Sequence, residues 1–328
     1  MSIKDIAKLA GVSPSTVSRV LNDKPGCAGE ELRKRIWLAA RQTGYVPDAA
    51  ARSLRKKEAS EKPLKVSLVL ARIRSLDEDP FFLELFRAVE VELNKARVGL
   101  YEVIMADGDA GAHAAGECVV SPDGIIILGR CSRAVLDRLK GATPNIVGLW
   151  RNPMNFEVDE VVCDGEKAAM VAVEHLISLG HKNIAYIGDC SYESRYVGYS
   201  ETLIRNGLPI NYRAIIHCEQ TSGAGYEAML SLIERSEVTA LLCANDAIAI
   251  GAIRAMREKR ARLSLISIDD IDQAQTTKPM LTTVRIPRSD MAHMAVTLLL
   301  DRIRLGHSGN VRVEFPCRVV VRESCFPV

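Results

Sequence analysis

The chain has 328 residues, 48% hydrophobic and 5% aromatic, with a formal net charge of +2. At about 100–200 residues per domain, two or three units are expected, which excludes a lone small DNA-binding module. So few aromatics argue against a lectin-like or aromatic-caged surface, and there is no apolar run of about eighteen residues from which a membrane span could be built.

The charge is uneven. Residues 1–62 hold thirteen Lys/Arg against seven Asp/Glu, and the remainder holds thirty against thirty-four. A basic head on a mildly acidic body suggests that the head meets nucleic acid, although a solvated charged face would give the same count. The cysteines Cys27, Cys118, Cys131, Cys163, Cys190, Cys218, Cys243, Cys317 and Cys325 are dispersed, with no pair at C-x-x-C spacing. Neither a zinc knuckle nor a redox pair is indicated. Their odd number, with no signal peptide, favours a reducing cytoplasm.

Residues 3–22 read as two short helices around a turn containing Gly11. Ile6, Ala7, Leu9, Ala10 and Val12 form one apolar stripe, and Val17, Val20 and Leu21 a second. Ser13 suits the N-cap of the second helix and Pro14 its first turn. This is a helix-turn-helix pattern, whose second helix enters the DNA major groove. A third helix follows at about 30–43, with Leu32, Ile36, Ala39 and Ala40 on its buried face and Gly44 ending it. Asp48 can cap a short Ala-rich helix at 48–57, and 58–62 reads as a linker closed by Pro63.

From Leu64 strands and helices alternate. Strands are expected at 65–71, 100–105, 124–128, 145–149, 183–187, 214–218, 240–243 and 263–268. Helices are expected at 81–95, 165–179, 194–206, 225–235 and 246–259. Repeated β-α units imply parallel sheets covered on both faces. No P-loop and no G-x-G-x-x-G follows a strand. The six histidines form no metal-binding pair, and no catalytic constellation stands out, so no metal, no cofactor and no enzymatic activity are expected.

The run Lys4-Asp5-Ile6-Ala7, Ala10-Gly11-Val12-Ser13, Thr16-Val17-Ser18-Arg19-Val20-Leu21-Asn22 closely resembles the lac/gal repressor (LacI/GalR) family of transcriptional regulators. The likeness continues through Gly44-Tyr45-x-Pro47, Ala51-Arg52-Ser53-Leu54, Ala244-Asn245-Asp246, Asp269-Asp270 and Leu281-Thr282-Thr283-Val284. Within the family the body most resembles the branch that represses an evolved β-galactosidase, through residues 265–271 and 283–286. The resemblance implies an all-α helix-turn-helix head at 1–46, a hinge helix and linker at 47–63, and a periplasmic-binding-protein-like α/β body at 64–328. Its two parallel-sheet lobes would span about 64–161 plus 287–321, and 162–286 plus 322–328. It further implies a homodimer on a pseudo-palindromic double-stranded DNA operator, with a small effector closing the lobes. No trailing Leu heptads follow 311–322, so a dimer is expected rather than a tetramer.

By resemblance, Pro14, Ser15 and Arg19 occupy base-reading positions. Arg19 has the best physical case, because its fork matches guanine O6 and N7. Ser13, Thr16, Ser18 and Asn22 look like phosphate anchors, with capping as the other role for Ser13. Leu54, flanked by Arg52 and Arg55, would wedge into the minor groove. For the effector, the resemblance points to Arg195, Asn245 and Asp269, and Phe82 could stack on an apolar ring. Trp150 stands where many members have Asp, exchanging an acceptor for a stacking plate. Plain readings compete: Asn245 as a helix cap, Phe82 as core. A carbohydrate inducer such as a galactoside is expected. A purine-type corepressor is the rival within the family, and a sugar-binding transport receptor the rival outside it. The missing signal peptide and the DNA-binding head count against the receptor.

Overall fold

The computed structural model describes residues 3–21, 28–42, 63–71, 79–106, 121–191, 193–235 and 238–328. It divides into two compact units, Met1–Lys62 and Pro63–Val328.

In the first unit, α1 (Ile3–Ala10), α2 (Pro14–Leu21) and α3 (Glu30–Gln42) enclose a small core. Ile6, Ala7, Ala10, Val17, Val20, Ile36, Ala39 and Ala40 fill it. Leu9, expected on the buried stripe, is instead 60% exposed. It lies between Lys8 and the core-facing Ala10, and Ile6 and Ala10 already cover the three-helix contact. Gly11 takes φ +64 and lets Val12 N close the helix on the Ala7 carbonyl at 3.0 Å.

The second unit holds two six-stranded sheets. The first contains β1 (Lys65–Ala71), β2 (Gly99–Ala106), β3 (Gly124–Leu128), β4 (Ile146–Trp150), β5 (Asp159–Val162) and β11 (Arg312–Glu314), in the order β11-β5-β4-β3-β1-β2. The second contains β6 (Ile184–Gly188), β7 (Ile215–His217), β8 (Ala240–Cys243), β9 (Ser264–Asp269), β10 (Thr282–Arg285) and β12 (Arg318–Val320), in the order β12-β10-β9-β8-β6-β7. Every pairing is parallel except β10 with β12. The central strands β1 and β3 are largely apolar, Ser67 excepted, because both faces are covered.

Two helices beyond those expected complete the first lobe. They are α5 (Arg133–Ala142) and α10 (Arg288–Ile303), which packs on α4 (Pro80–Lys95), β3, β4 and β5. Asp79 caps α4, accepting from Phe81 N at 3.0 Å, and Phe81, Leu85, Val89 and Leu93 form its buried stripe. Each such side chain contributes about 1.5–3 kcal/mol through burial. The second lobe adds α6 (Gly165–Ser178), α7 (Ser194–Arg205), α8 (Ser222–Arg235) and α9 (Asp246–Lys259). Helices α8 and α9 touch backbone to backbone. A Cβ on Gly251 would lie 1.9 Å from the Ser222 carbonyl, and one on Gly225 would lie 2.2 Å from that of Ile248.

The chain passes between lobes three times, at 163–164, 286–287 and 315–317. The last passage precedes the expected boundary at 321, because Thr283–Arg285 recruits Arg318–Val320 as an antiparallel strand of the second sheet. Strand β5 was unexpected as well. Its Asp159 and Glu160 are buried, and neither would normally open a core strand. Asp159 takes a two-point hydrogen bond from Arg302 at 2.7 and 2.6 Å and another from Val311 N at 2.8 Å, and lies 2.8 Å from His307 Nε2. Glu160 accepts from Arg312 and Met154 N.

Candidate nucleic-acid interface and interlobe site

The outer face of α2 carries small polar groups and one cation. Ser13 caps the helix, its Oγ accepting from Thr16 N at 3.1 Å. The same hydroxyl lies 2.7 Å from Ser15 Oγ and 2.8 Å from Thr16 Oγ1. Pro14, Ser15 and Arg19 are exposed, and Thr16 and Ser18 are half-buried. Ser15 and Arg19, four residues apart, share the face opposite the buried Val17 and Val20. Asn22, Arg52, Leu54 and Arg55 lie outside the described residues, as does most of the 107–122 segment.

In the body, Arg195, Asn245 and Asp269 stand at the carboxyl ends of the β6, β8 and β9 units, where open α/β sheets bind ligands. All three are buried. Arg195 Nε donates to Glu193 at 2.6 Å and its Nη1 to the Ala244 carbonyl at 2.7 Å. Asn245 caps α9, accepting from Ile248 N at 2.9 Å, and its amide approaches Gln220 at 3.4 Å. Both ends of Asn245 thus have partners within the second lobe. Asp269 sits at φ +132 and Asp270 at φ +55, two positive-φ residues in succession.

The first-lobe residues fall differently. Trp150 is 3% exposed, edge-to-face with Phe156 at 6.2 Å and folded over Gly148, with Nε1 unpartnered. It is a core side chain here and offers no open stacking plate. Strand alternation accounts for this, since Ile146, Gly148 and Trp150 point to one face. Phe82 is half-buried and edge-to-face with the buried Phe81 at 5.5 Å.

Residues not singled out from sequence join the lobes. Arg151, directly after β4, places its guanidinium 4.2 Å from the Phe81 ring centroid. Its Nη2 lies 2.7 Å from Asp269 Oδ1. Arg288 donates to the carbonyls of Asp269 at 2.5 Å and Asp270 at 2.8 Å, and pairs with Glu84 at 2.7 Å. Glu84, on α4, also accepts from Asp272 N of the second lobe at 3.0 Å. Both faces of β4 are core, so the sequence signal for Arg151 is its place just past the carboxyl end of a parallel strand.

Burial pushes Asp269 up to about 6, against the pull of Arg151 and then Arg195. Burial likewise pushes Asp246 up to about 7, and the Asp269 charge adds to it. Burial raises Glu84 as well, opposed by the Asp272 N–H and Arg288. These groups can hold a hydroxylated ligand. Among the described residues no cluster of three or more His, Cys, Asp or Glu could hold a metal ion. An apolar recess of about 240 Å³, lined by Ile253, Met256, Leu265, Pro279 and Phe326, lies within the second lobe and away from the seam.

The profile described as "Bacterial regulatory proteins, lacI family" matches residues 2–48, and "Periplasmic binding protein-like domain" matches 173–325. The HTH-type transcriptional repressor PurR of Pasteurella multocida (strain Pm70) is 30% identical over 337 residues, covering 98% of each chain. PurR of Haemophilus influenzae (strain PittEE) is 29% identical over 343 residues, again 98% of each. Among solved structures, the transcriptional regulator CelR in complex with cellobiose is similar at TM-score 0.70 and 25% identity, covering 99% of both chains. A ribose-bound regulator from Enterococcus faecium covers 80% of this chain and 99% of its own, at TM-score 0.69 and 25% identity. The lac repressor dimer on its operator shares the fold at TM-score 0.70, 24% identity and 99% coverage of both.

Proposed function

This chain belongs to the lacI family of bacterial regulatory proteins, and we propose that it is a repressor whose grip on a two-fold operator is released by a small carbohydrate. That it is a DNA-binding transcriptional repressor with a ligand-binding body, and not an enzyme, follows from the family. Membership brings operator DNA, a small effector and a dimeric state with it.

The finer reading is ours. Arg19 reads a base pair in each half-site, Pro14 and Ser15 shape that contact, and Ser13, Thr16, Ser18 and Asn22 anchor phosphates. Leu54, with Arg52 and Arg55, enters the minor groove from the hinge. The work is done in the cytoplasm, on the nucleoid. The effector sits between the lobes, against Arg195 and Asp269, with Asn245 and Phe82 at its edges; Trp150 leaves the contact set. One observation carries the carbohydrate reading: buried Asp269 and Arg195 converge at the carboxyl strand ends, opposite the Phe81–Phe82 pair of the other lobe. The cellobiose- and ribose-bound relatives support it. The name PurR on the curated relatives favours the second reading, a purine-type corepressor that tightens DNA binding.

Fluorescence anisotropy on labelled operator separates the two. A sugar that lowers operator affinity supports the first reading, and hypoxanthine or guanine raising it supports the second. Arg19→Ala should cost about 1–3 kcal/mol and relax preference at one base pair per half-site. Equal loss on every operator variant would remove Arg19 from base reading.

A further inference from the structure

Two of the three passages between lobes run side by side, and each carries a cysteine. Phe315 N donates to the Val162 carbonyl at 2.8 Å, continuing the pairing of Glu314 with Val162. Cys163 follows β5 and precedes Asp164, which caps α6 of the second lobe. Cys317 follows β11 and precedes β12 of the second sheet. Lys167 on α6 reaches Glu314 at 2.5 Å, so an ion pair spans the same crossing.

The two thiols meet there. Cys163 is fully buried, Cys317 is half-buried, and both are free. The Cys163 thiol donates a hydrogen bond to Cys317 Sγ. A buried cysteine is ordinarily a small apolar side chain. Thiol-to-thiol contact between separate passages of the chain is a different arrangement, and no C-x-x-C spacing announces it.

The contact gives the two sulfurs different roles. The bond from Cys163 lowers Cys317 below the ordinary thiol range, with burial opposing. The same bond, and then burial, hold the proton on Cys163. Burial pushes Cys131, Cys190 and Cys218 up to about 11 and Cys325 up to about 12, and it raises Cys243 as well. Among the seven described cysteines, Cys317 is therefore the one made more acidic, and it is the more exposed member of its pair. The thiolate is the form that oxidants attack.

We propose that Cys163 and Cys317 form a reversible disulfide across the hinge, closed by a peroxide and reopened by a dithiol. Cys317 Sγ, as thiolate, attacks one peroxide oxygen. The O–O bond breaks, Cys317 becomes a sulfenic acid, and the departing hydroxide takes up the thiol's proton as water. Cys163 Sγ then attacks Cys317 Sγ. The S–O bond breaks, and the hydroxyl leaves with the Cys163 proton as a second water. Two thiols are oxidised and one peroxide is reduced. Disulfides of this kind are transient in a reducing compartment, which resets them.

The bond would hold the Cα atoms of 163 and 317 within about 4.4–6.8 Å of each other. Lobe rotation needs each passage to change its φ and ψ, and a staple across two of the three opposes that. With the interlobe effector site proposed above, the oxidised chain would no longer answer its effector; that consequence alone rests on that reading.

The test treats the reduced full chain with hydrogen peroxide, unfolds it in N-ethylmaleimide and maps the non-reduced peptides by mass spectrometry. A peptide pair joined through Cys163 and Cys317, two hydrogens lighter than its reduced parts and released by dithiothreitol, is expected. Cys163→Ser should leave Cys317 as a sulfenic acid that dimedone traps, and Cys317→Ser should leave Cys163 alkylated. Melting curves before oxidation confirm that each variant is folded. Backbone hydrogen exchange in 163–167 and 315–320 should slow severalfold in oxidised wild type and in neither variant. The proposal is overturned if Cys163 and Cys317 stay alkylated after peroxide, if Cys317 in Cys163→Ser takes no dimedone, or if the bond forms and exchange in both segments is unchanged. These readouts use neither DNA nor effector. The interlobe site is judged apart from them, by whether Asp269→Asn and Arg195→Ala abolish the response of operator binding to sugars.

Discussion

Asp246→Asn should flatten the pH dependence of the body's stability between about pH 4 and about pH 7. Asp246 is fully buried at the start of α9. Its Oδ1 accepts from Ser267 Oγ at 2.5 Å and Thr283 Oγ1 at 2.6 Å, and its Oδ2 from Ile271 N at 2.9 Å. Burial outweighs these donors and holds the carboxyl at about 7, against 3.8 for an ordinary aspartate. A carboxyl with a higher pKa folded than unfolded holds its proton more tightly when folded. Its contribution is therefore complete below about pH 4 and withdrawn as the pH rises through about 7. About three pH units at about 1.4 kcal/mol each give about 4 kcal/mol. For a body of this size that is roughly 10 °C in Tm. Asparagine mimics the protonated acid: its oxygen accepts from Ile271 N, and its amide donates to the two hydroxyls, whose protons can turn away. Melting from about pH 4 to about pH 8.5 should show the variant nearly level with wild type at the acid end and above it at the alkaline end. Asp269 keeps a slope of its own, so the difference between the two curves is the readout. A flat difference, or a variant less stable at the alkaline end, would refute the burial argument.

Asp159→Ala should cost about 3–5 kcal/mol by denaturant unfolding, because it strands Arg302 and removes the tie to His307. His307 itself is raised above 6.5 by Asp301 and then Asp159, so its share of that stability should fade as pH climbs past the ordinary histidine range, a trend His307→Gln should abolish. Gly251→Ala should force α9 away from α8, visible as a lower Tm of the body with helical content kept. Ile36→Ala should cost about 2–5 kcal/mol in the head and weaken operator binding, while effector calorimetry on the same protein is unaffected.

The sequence made much of this legible where one physical signal acted alone. Strand β1 spans 65–71 as the sequence predicts, because a doubly covered parallel strand is mostly apolar, here interrupted only by Ser67 after its opening lysine. Helix α9 was equally plain, with Asn245 as cap and Lys259 as last residue. Strand β5 was invisible, because Asp159 and Glu160 are tolerated only through Arg302 and Arg312, about 150 residues further along. Helix α10 has little contrast between its faces, with six buried residues drawn mainly from Ala, Val and Leu. Arg195 and Asp269, proposed as effector contacts, come from the resemblance, and the structure buries both at the carboxyl ends of one sheet, after β6 and at β9, with β8 between. Arg151 had no pattern to mark it, because both faces of β4 are core and only its place just past the strand end turns it to Asp269 of the other lobe.

The three passages between lobes also govern how the body can assemble. The sixth strand of the first sheet, Arg312–Glu314, pairs with Asp159–Val162, so that sheet waits for a segment following the whole second lobe. Until it arrives, the β5 edge offers unpaired backbone groups to any other strand nearby. Closure across so long a separation slows folding compared with lobes built from contiguous chain. A fragment stopping at Ile303 would contain α10 and Arg302 but lack β11, and Asp159 would lose its bond from Val311 N. Neither lobe can be excised as one continuous piece and keep its full sheet.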